Sequence, residues 1–313
     1  MAWRRQVVIG ALILVAVVLV AGIFWTAARL LPGLGPLHQG APVVHDVAVS
    51  SGQTLTLGVV TASAVKVTRG TGSQAVVTTT PRWRGGNRPP AIWSERQGAN
   101  GPVIDLQKGQ PWSWGCCRGS LVGVTVALPP GVDVALSVVT GPVVLSGNIP
   151  RATVHDVTGA VSVSNDQGVL ALNLVTGQAV VSGLRDPGAL SVSVVTGGIV
   201  VSDAQVAGEM QVSTVNGTQR LTAVHPAGQF LLHSVNGAIL YSGTGGTGGS
   251  VSTVNGAVQM QLAPPASGHY VVVDRSGSTA WPVAAGPELG QIVLSTTNGS
   301  ATLTSLGTTG GNG

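Results

Sequence analysis

Residues 190–197 of this chain are LSVSVVTG, and residues 210–217 repeat the pattern as MQVSTVNG. The same phrase, usually a Val followed by Thr-Gly or Asn-Gly, recurs with its glycines at spacings of 18, 18, 20, 20, 20, 19 and 43 residues. A fixed period near 20 residues is typical of repeat proteins, in which similar units stack on one another. The glycines that mark the units are Gly141, Gly159, Gly177, Gly197, Gly217, Gly237, Gly256 and Gly299.

Each unit carries the alternation of a β-strand. The second and fourth residues after the glycine are mostly apolar, as in Val143 and Leu145 or Val161 and Val163. Period-two alternation of β-branched residues indicates strands, not helices. A unit of 18–20 residues is also shorter than the roughly 30 residues of a βαβ crossover. The sequence therefore predicts an all-β protein, a parallel β-solenoid with roughly nine coils over residues 121–306.

Stacking such coils places equivalent residues above one another at about 4.8 Å. The residue before each glycine should then form a continuous ladder, in which asparagine side chains can hydrogen-bond between coils. A competing interpretation remains, because Asn-Gly is also a strong hairpin signal and would fit an antiparallel sandwich or propeller. The predicted ladder consists of Thr140, Thr158, Thr176, Thr196, Asn216, Asn236, Asn255 and Asn298.

The N-terminus predicts export. Residues 7–25 form a run of 19 residues without a charge, preceded by Arg4 and Arg5. Such a run is about long enough to cross a bilayer, and the arginines place the N-terminus in the cytoplasm. We expect residues 1–28 to be a cytoplasmic stub and transmembrane signal anchor, with the bulk of the chain outside the cell membrane. A cleaved signal peptide is the alternative. Residues 29–41 form a Pro- and Gly-containing linker, and residues 307–313 form a Gly-rich tail.

The stretch 124–141, VTVALPPGVDVALSVVTG, combines a strand, a Pro-Pro-Gly turn and the first repeat. It resembles the bacterial candidate-adhesin family of β-strand repeats, a domain family of unknown function. The resemblance covers roughly residues 121–306 and, more loosely, residues 45–66. It implies an exported or membrane-anchored protein of the cell surface, and it supplies no catalytic residues.

Residues 81–119, within an N-terminal β region at 42–120, have no counterpart in the repeat and look like an insertion. This insertion holds four of the seven tryptophans and is rich in arginine. We expect it to be mostly loop, with one strand at 102–106. Arginine binds phosphate or carboxylate, and exposed tryptophan stacks on sugars or enters a membrane interface. We therefore expect a site for anionic envelope polymer or lipid, or else a cap over the end of the solenoid. The candidate ligand-binding residues are Arg82, Trp83, Arg84, Arg88, Trp93, Trp112, Trp114 and Arg118.

Cys116 and Cys117 are adjacent and are the only cysteines in the chain. In an exported protein cysteines are usually oxidised. A disulfide between the two neighbours, disulfides to a second chain, and two reduced thiols all remain open, with the first favoured.

No catalytic or metal-binding constellation stands out. Four carboxylates, Asp156, Asp166, Asp186 and Asp203, fall at different offsets from their glycines, so they do not align as the paired carboxylates of a glycosidase. The segments 165–168 and 186–188 are better explained as turns. His155 and His233 share a column but are four coils apart, about 19 Å, too far to bind one metal.

We predict a non-enzymatic surface protein without cofactor that binds envelope polymer, lipid or a protein partner, and no nucleic acid. The alternatives are an envelope-stress sensing ectodomain that acts through a membrane partner and, less favoured, a polysaccharide-active enzyme.

Overall fold

The computed structural model describes residues 37–84, 91–108, 121–185, 188–264, 269–274 and 287–306. Every regular element in these ranges is a β-strand, which confirms the predicted all-β class. The strands are β1 (Leu37–Gln39), β2 (Val43–Val47), β3 (Thr54–Arg69), β4 (Ala75–Arg84), β5 (Ala91–Gly98), β6 (Gly101–Lys108), β7 (Leu121–Leu128), β8 (Asp133–Thr140), β9 (Val143–Ser146), β10 (Arg151–Ser164), β11 (Val169–Arg185), β12 (Leu190–Thr196), β13 (Ile199–Val206), β14 (Met210–Asn216), β15 (Gln219–Pro226), β16 (Phe230–Asn236), β17 (Ile239–Gly243), β18 (Gly249–Asn255), β19 (Val258–Leu262), β20 (His269–Asp274), β21 (Glu288–Asn298) and β22 (Ala301–Ser305).

Several predicted features lie outside the described residues. They are the N-terminal anchor at 1–28, most of the linker, the Gly-rich tail, Arg88, Trp112, Trp114, Cys116, Cys117, Arg118 and Asp186. In the ranges that the structure describes, no helix is long and apolar enough to cross a membrane.

Successive repeats pair in parallel, in register with the sequence period. Thr158 of β10 lies opposite Thr176 of β11, a shift of 18 residues, and Thr196 lies opposite Asn216, a shift of 20. Asn255 lies opposite Asn298, because β20 and its flanking segments fall between the two repeats. We call the strand or strand pair of one repeat a row. The described residues contain nine rows, namely β3, β8 with β9, β10, β11, β12 with β13, β14 with β15, β16 with β17, β18 with β19, and β21 with β22.

The first row belongs to the N-terminal region and not to the recognisable repeats. Strand β3 pairs in parallel with β8 and β9, and Thr61 lies opposite Thr140. It lacks the marker dipeptide because Ala62 follows Thr61 where the later rows have glycine. The stack therefore also takes in Thr54–Arg69, N-terminal to the repeats predicted from residue 121.

Alternation along each strand builds the core. In β10 the side chains of Ala152 and Val154 are fully buried before the corner at the marker glycine Gly159, and those of Val161 and Val163 are fully buried after it. Thr153 and Ser162, which alternate with these buried residues, face outward because successive side chains of a strand point to opposite faces. Repeated over the rows, this alternation makes one continuous core of Val, Leu and Ile.

Besides the corner at the marker glycine, five rows have a residue with left-handed backbone six positions after that glycine. The column consists of Gly147, Asn165, Gly183, Asp203 and Ala223, with φ between 51° and 100°. Asn and Asp tolerate this conformation better than most residues with a side chain. We call the segment of each row before the marker glycine the long strand, and the segment between the marker glycine and this position the short strand.

Antiparallel strands close the N-terminal end. Strand β4 pairs with β7, which lies on β3, and β2 and β1 pair with β4. Strand β6 lies in parallel on β3 and forms a hairpin with β5 through Ala99 and Asn100. One strand at 102–106 was predicted within the insertion and lies inside β6, whereas β5 was not predicted. At the other end, β20 pairs with β21, and β22 pairs with β19.

One buried carboxylate interrupts the apolar core. Asp156 lies between Val138 and Leu174 of the neighbouring rows. Its side chain is 2% exposed, and one carboxyl oxygen has no hydrogen-bond partner. Burial raises the pKa of Asp156 above its ordinary value, against the opposing effect of the hydrogen bond from the Thr158 N–H.

We expect Asp156→Val to stabilise the protein at neutral pH by about 1–3 kcal/mol, because it removes a buried charged group from between two apolar residues, Val138 and Leu174. Since the folded-state pKa is raised, the favourable contribution of protonated Asp156 is present below its ordinary pKa and is lost as the pH rises through the raised value. The advantage of the variant should therefore shrink towards about pH 4, as Asp156 protonates. Urea unfolding at both pH values measures it, and a gain that grows on acidification contradicts the assignment.

Candidate functional site

The long strand of each row presents three outward positions, which lie six, four and two residues before the marker glycine. Because the rows are in register, these positions form three columns of eight residues over β8 to β21. We call this surface the ladder face. Its columns are Ala135, Thr153, Ala171, Ser191, Gln211, Leu231, Ser250 and Val293; Ser137, His155, Asn173, Ser193, Ser213, His233, Ser252 and Ser295; and Val139, Val157, Val175, Val195, Val215, Val235, Val254 and Thr297.

The ladder face carries no Asp, Glu, Lys or Arg at any of these positions. Its side chains are short, mostly Ser, Thr, Ala and Val, so the surface has low relief. With strands about 4.8 Å apart, eight rows extend over roughly 34 Å. Isolated exposed apolar residues need no explanation, whereas contiguous exposed apolar patches mark binding surfaces.

The valine column is the most apolar part of the ladder face. Val139, Val157, Val175, Val195 and Val215 are 39–48% exposed and lie in consecutive rows. A β-branched residue at a solvent-facing strand position gains little from its own fold, since its methyl groups contact water. The column therefore offers apolar contact area to another molecule.

The predicted ladder of Thr and Asn lies directly beside the valine column. Register pairing joins its eight residues in order, from Thr140 to Asn298. The asparagine amides form a chain in which each Nδ2 donates to the Oδ1 of the preceding row at 2.8 Å. The three bonds run from Asn236 to Asn216, from Asn255 to Asn236 and from Asn298 to Asn255. This chain fixes one edge of the ladder face.

Two histidines are the titratable groups of the ladder face. His233 Nδ1 lies 2.9 Å from Ser252 Oγ in the next row. His155 occupies the same column four rows away, about 19 Å at the usual strand spacing. Among the residues that the structure describes, no three His, Cys, Asp or Glu side chains lie close enough together to hold a metal ion.

The carboxylates considered for catalysis occupy different environments. Asp166 is buried, and Asp203 forms an exposed ion pair with Arg185 at 2.8 Å. Asp166 Oδ1 accepts hydrogen bonds from the backbone N–H groups of Ile149, Gln167 and Gly168. It orders a turn, the role expected for this segment from its sequence. Burial raises the pKa of Asp166 against the effect of these three bonds.

The described part of the Arg/Trp insertion packs on the N-terminal end of the stack. The ring of Trp93 stacks on His45 at 3.8 Å between centroids and contacts the core. The ring of Trp83 stacks on His38 at 5.7 Å. Arg82 is half-buried, and its Nε has no hydrogen-bond partner. Of Arg84 only the backbone, at the end of β4, is described. Each described tryptophan thus has a ring face covered by a histidine.

The repeat spacing identified the valine column and the Thr/Asn ladder, but not the ladder face as a whole. A count of charges at the positions four and six residues before each glycine would have found it, since neither position carries one in any row.

No known family model matches the chain, and no curated protein matches it by sequence. Similar solved structures include two bacterial proteins. A candidate adhesin from Bacteroides fragilis has a TM-score of 0.44 and 12% identity, with 85% of this chain and 97% of that one covered. A candidate cell adhesion protein from Clostridium sporogenes has a TM-score of 0.33 and 10% identity, with 85% of this chain and 100% of that one covered. Both scores are low, so the fold described above rests on the strand pairing of this chain itself.

Proposed function

We propose that this chain is a non-enzymatic cell-surface binding protein, a parallel β-solenoid that holds an extended, uncharged polysaccharide of the cell envelope against its ladder face. The observation that carries the proposal is the absence of charged side chains from three columns of eight outward positions.

The chemistry of the ladder face suits a neutral polysaccharide. Sugar rings have apolar faces, which the valine column can cover, and hydroxyl rims, which Ser, Thr, Asn and His side chains can hydrogen-bond. Removing valine from water on binding contributes about 25 cal/mol per Å² of apolar surface buried. An anionic polymer would instead require a basic surface, which these columns lack.

The architecture suits an extended ligand. The parallel pairing with shifts of 18–20 residues supports the solenoid, in which each row repeats the same contacts. A polymer lying along the stack would gain affinity from many weak contacts, each similar to the last. Membrane anchoring through residues 1–28 is part of the proposal. It would leave the ladder face outside the cell, where envelope polysaccharide is found.

The test is co-sedimentation of the full-length chain, in detergent, with insoluble neutral cell-wall polysaccharide across a salt series. We expect binding that changes little with salt, because no ion pairs form. The double variant Val175→Glu/Val215→Glu places two charges in one column, two rows apart. It should weaken binding at least about tenfold, equivalent to 1.4 kcal/mol.

The control is Thr222→Glu/Gln261→Glu, which adds two charges at exposed positions two rows apart on the short strands. It should bind as the wild type does. Equal loss in both variants, or no binding by the wild type, would overturn the proposal. Binding that falls steeply with salt, and that is equally strong in the wild type and in both double variants, would assign the ligand to the Arg/Trp insertion.

A further inference from the structure

The lower half of the Thr/Asn ladder contains four Asn-Gly dipeptides in register. They are Asn216-Gly217, Asn236-Gly237, Asn255-Gly256 and Asn298-Gly299. In such a dipeptide the glycine nitrogen can attack the asparagine Cγ, because no side chain on the glycine hinders it. The new C–N bond closes a succinimide, and the side-chain nitrogen leaves as ammonia with the proton of the glycine N–H. Water then opens the ring to aspartate or isoaspartate.

The first three dipeptides are held in a form that resists this reaction. The N–H of Gly217 donates to Asn236 O at 2.9 Å, that of Gly237 to Asn255 O at 3.0 Å, and that of Gly256 to Asn298 O at 3.1 Å. The attacking nitrogen must lose its proton and turn towards its own asparagine, so each of these bonds must first break. In a parallel ladder that opening requires the neighbouring row to separate locally.

The asparagine side chains of these three dipeptides are held as well. The Oδ1 atoms of Asn216, Asn236 and Asn255 each accept a 2.8 Å bond from the next asparagine in the chain. Rotation of one side chain towards its glycine would break that bond. Both reacting groups are therefore fixed in the interior of the ladder.

The fourth dipeptide lies at the end of the ladder and lacks both restraints. Among the described residues, the Gly299 N–H donates to no acceptor and Asn298 Oδ1 accepts from no donor. In the side chain of Asn298 only Nδ2 is held, by its bond to Asn255, and the backbone carbonyl of Asn298 accepts from the Gly256 N–H. Both residues are exposed.

We infer that Asn298 is a site of spontaneous deamidation in the folded protein, and that the other three Asn-Gly dipeptides are protected by the ladder. The product is a carboxylate, which cannot donate to Asn255 Oδ1, so the last bond of the asparagine chain is lost. The reaction places a negative charge at one edge of an otherwise uncharged surface. The inference rests on hydrogen bonds and holds whether or not the ladder face binds polysaccharide.

The experiment follows the four dipeptides by peptide mass spectrometry during incubation of the full-length folded chain in detergent at about pH 8. Each conversion adds about 1 Da, and elution separates aspartate from isoaspartate. We expect Asn298 to convert at least about tenfold faster than Asn216, Asn236 or Asn255, a difference of 1.4 kcal/mol or more in activation free energy.

The matched control is the same chain unfolded in urea, in which all four dipeptides should convert at similar rates because the ladder is absent. Faster conversion of Asn298 only in the folded chain supports the inference. Equal rates in the folded chain, or faster conversion of an inner asparagine, overturn it. A preference for Asn298 that persists in urea also overturns it, since local sequence would then be the cause.

Discussion

Gly197→Ala should lower the free energy of unfolding by about 4 kcal/mol or prevent folding. The residue has φ of 141°, and an added Cβ would lie 1.6 Å from the carbonyl oxygen of Gly177 in the preceding row. A strained backbone costs about 1–3 kcal/mol, and forcing atoms into a packed site costs about as much again. Relief would require two rows to move apart. Urea unfolding, monitored by circular dichroism, gives the change.

The neighbouring residue provides the control for this prediction. At Gly198 an added Cβ would lie 3.7 Å from Thr218 O, an ordinary contact, and φ is not in the left-handed region. Gly198→Ala should change stability by no more than about 1 kcal/mol. Similar losses at Gly197 and Gly198 would mean that the corner does not pack against the preceding row as described.

Asp166→Ala should destabilise the protein by about 3 kcal/mol. The change removes the acceptor for the backbone N–H groups of Ile149, Gln167 and Gly168, at 2.9, 2.8 and 3.3 Å from Asp166 Oδ1. A buried donor left without a partner costs about 1–3 kcal/mol, and the Ile149 and Gly168 bonds are buried. The same unfolding measurement tests the prediction.

Gln167→Ala is the matched control for Asp166→Ala, because it alters the next side chain in the same turn. Gln167 is exposed, and its Oε1 accepts one exposed bond from Asn148 at 2.9 Å. Its loss should cost less than about 1 kcal/mol. If Asp166→Ala is as mild as this control, the three backbone bonds do not organise the turn.

Most of what could be predicted about the fold came from the spacing of the repeats. Alternation around each marker glycine predicted strands, and the described residues are all-β. The first row was not counted among the repeats because Ala62 takes the place of the glycine, although Leu55, Leu57 and Val59 alternate as in the later rows. Strand β5 was missed because its hairpin depends on pairing with β6 and on contact of Trp93 with the core, neither of which local sequence specifies.

The sequence pointed to the valine column and the Thr/Asn ladder but not to the ladder face as a whole, and the reason is physical. The sequence drew attention to Arg and Trp residues, because these side chains bind ligands in many proteins. Packing decides whether such a side chain is free, and the rings of Trp83 and Trp93 are stacked on histidines. The ladder face has no residue that stands out singly. It emerges only when equivalent positions of eight rows are placed side by side.

The stacking of the rows is the basis of both the binding proposal and the deamidation site. Pulsed electron–electron double resonance, which measures the distance between two spin labels, tests it directly. Nitroxide labels would be attached to the full-length chain at cysteines introduced for Val139 and Val215, or for Val139 and Val254, in a Cys116→Ser/Cys117→Ser background. The first pair lies four rows apart and the second six rows apart, which predicts backbone separations of about 19 and 29 Å. A second distance longer than the first by about 10 Å agrees with parallel rows in register. Two distances that are equal, or a second that is shorter than the first, would contradict it.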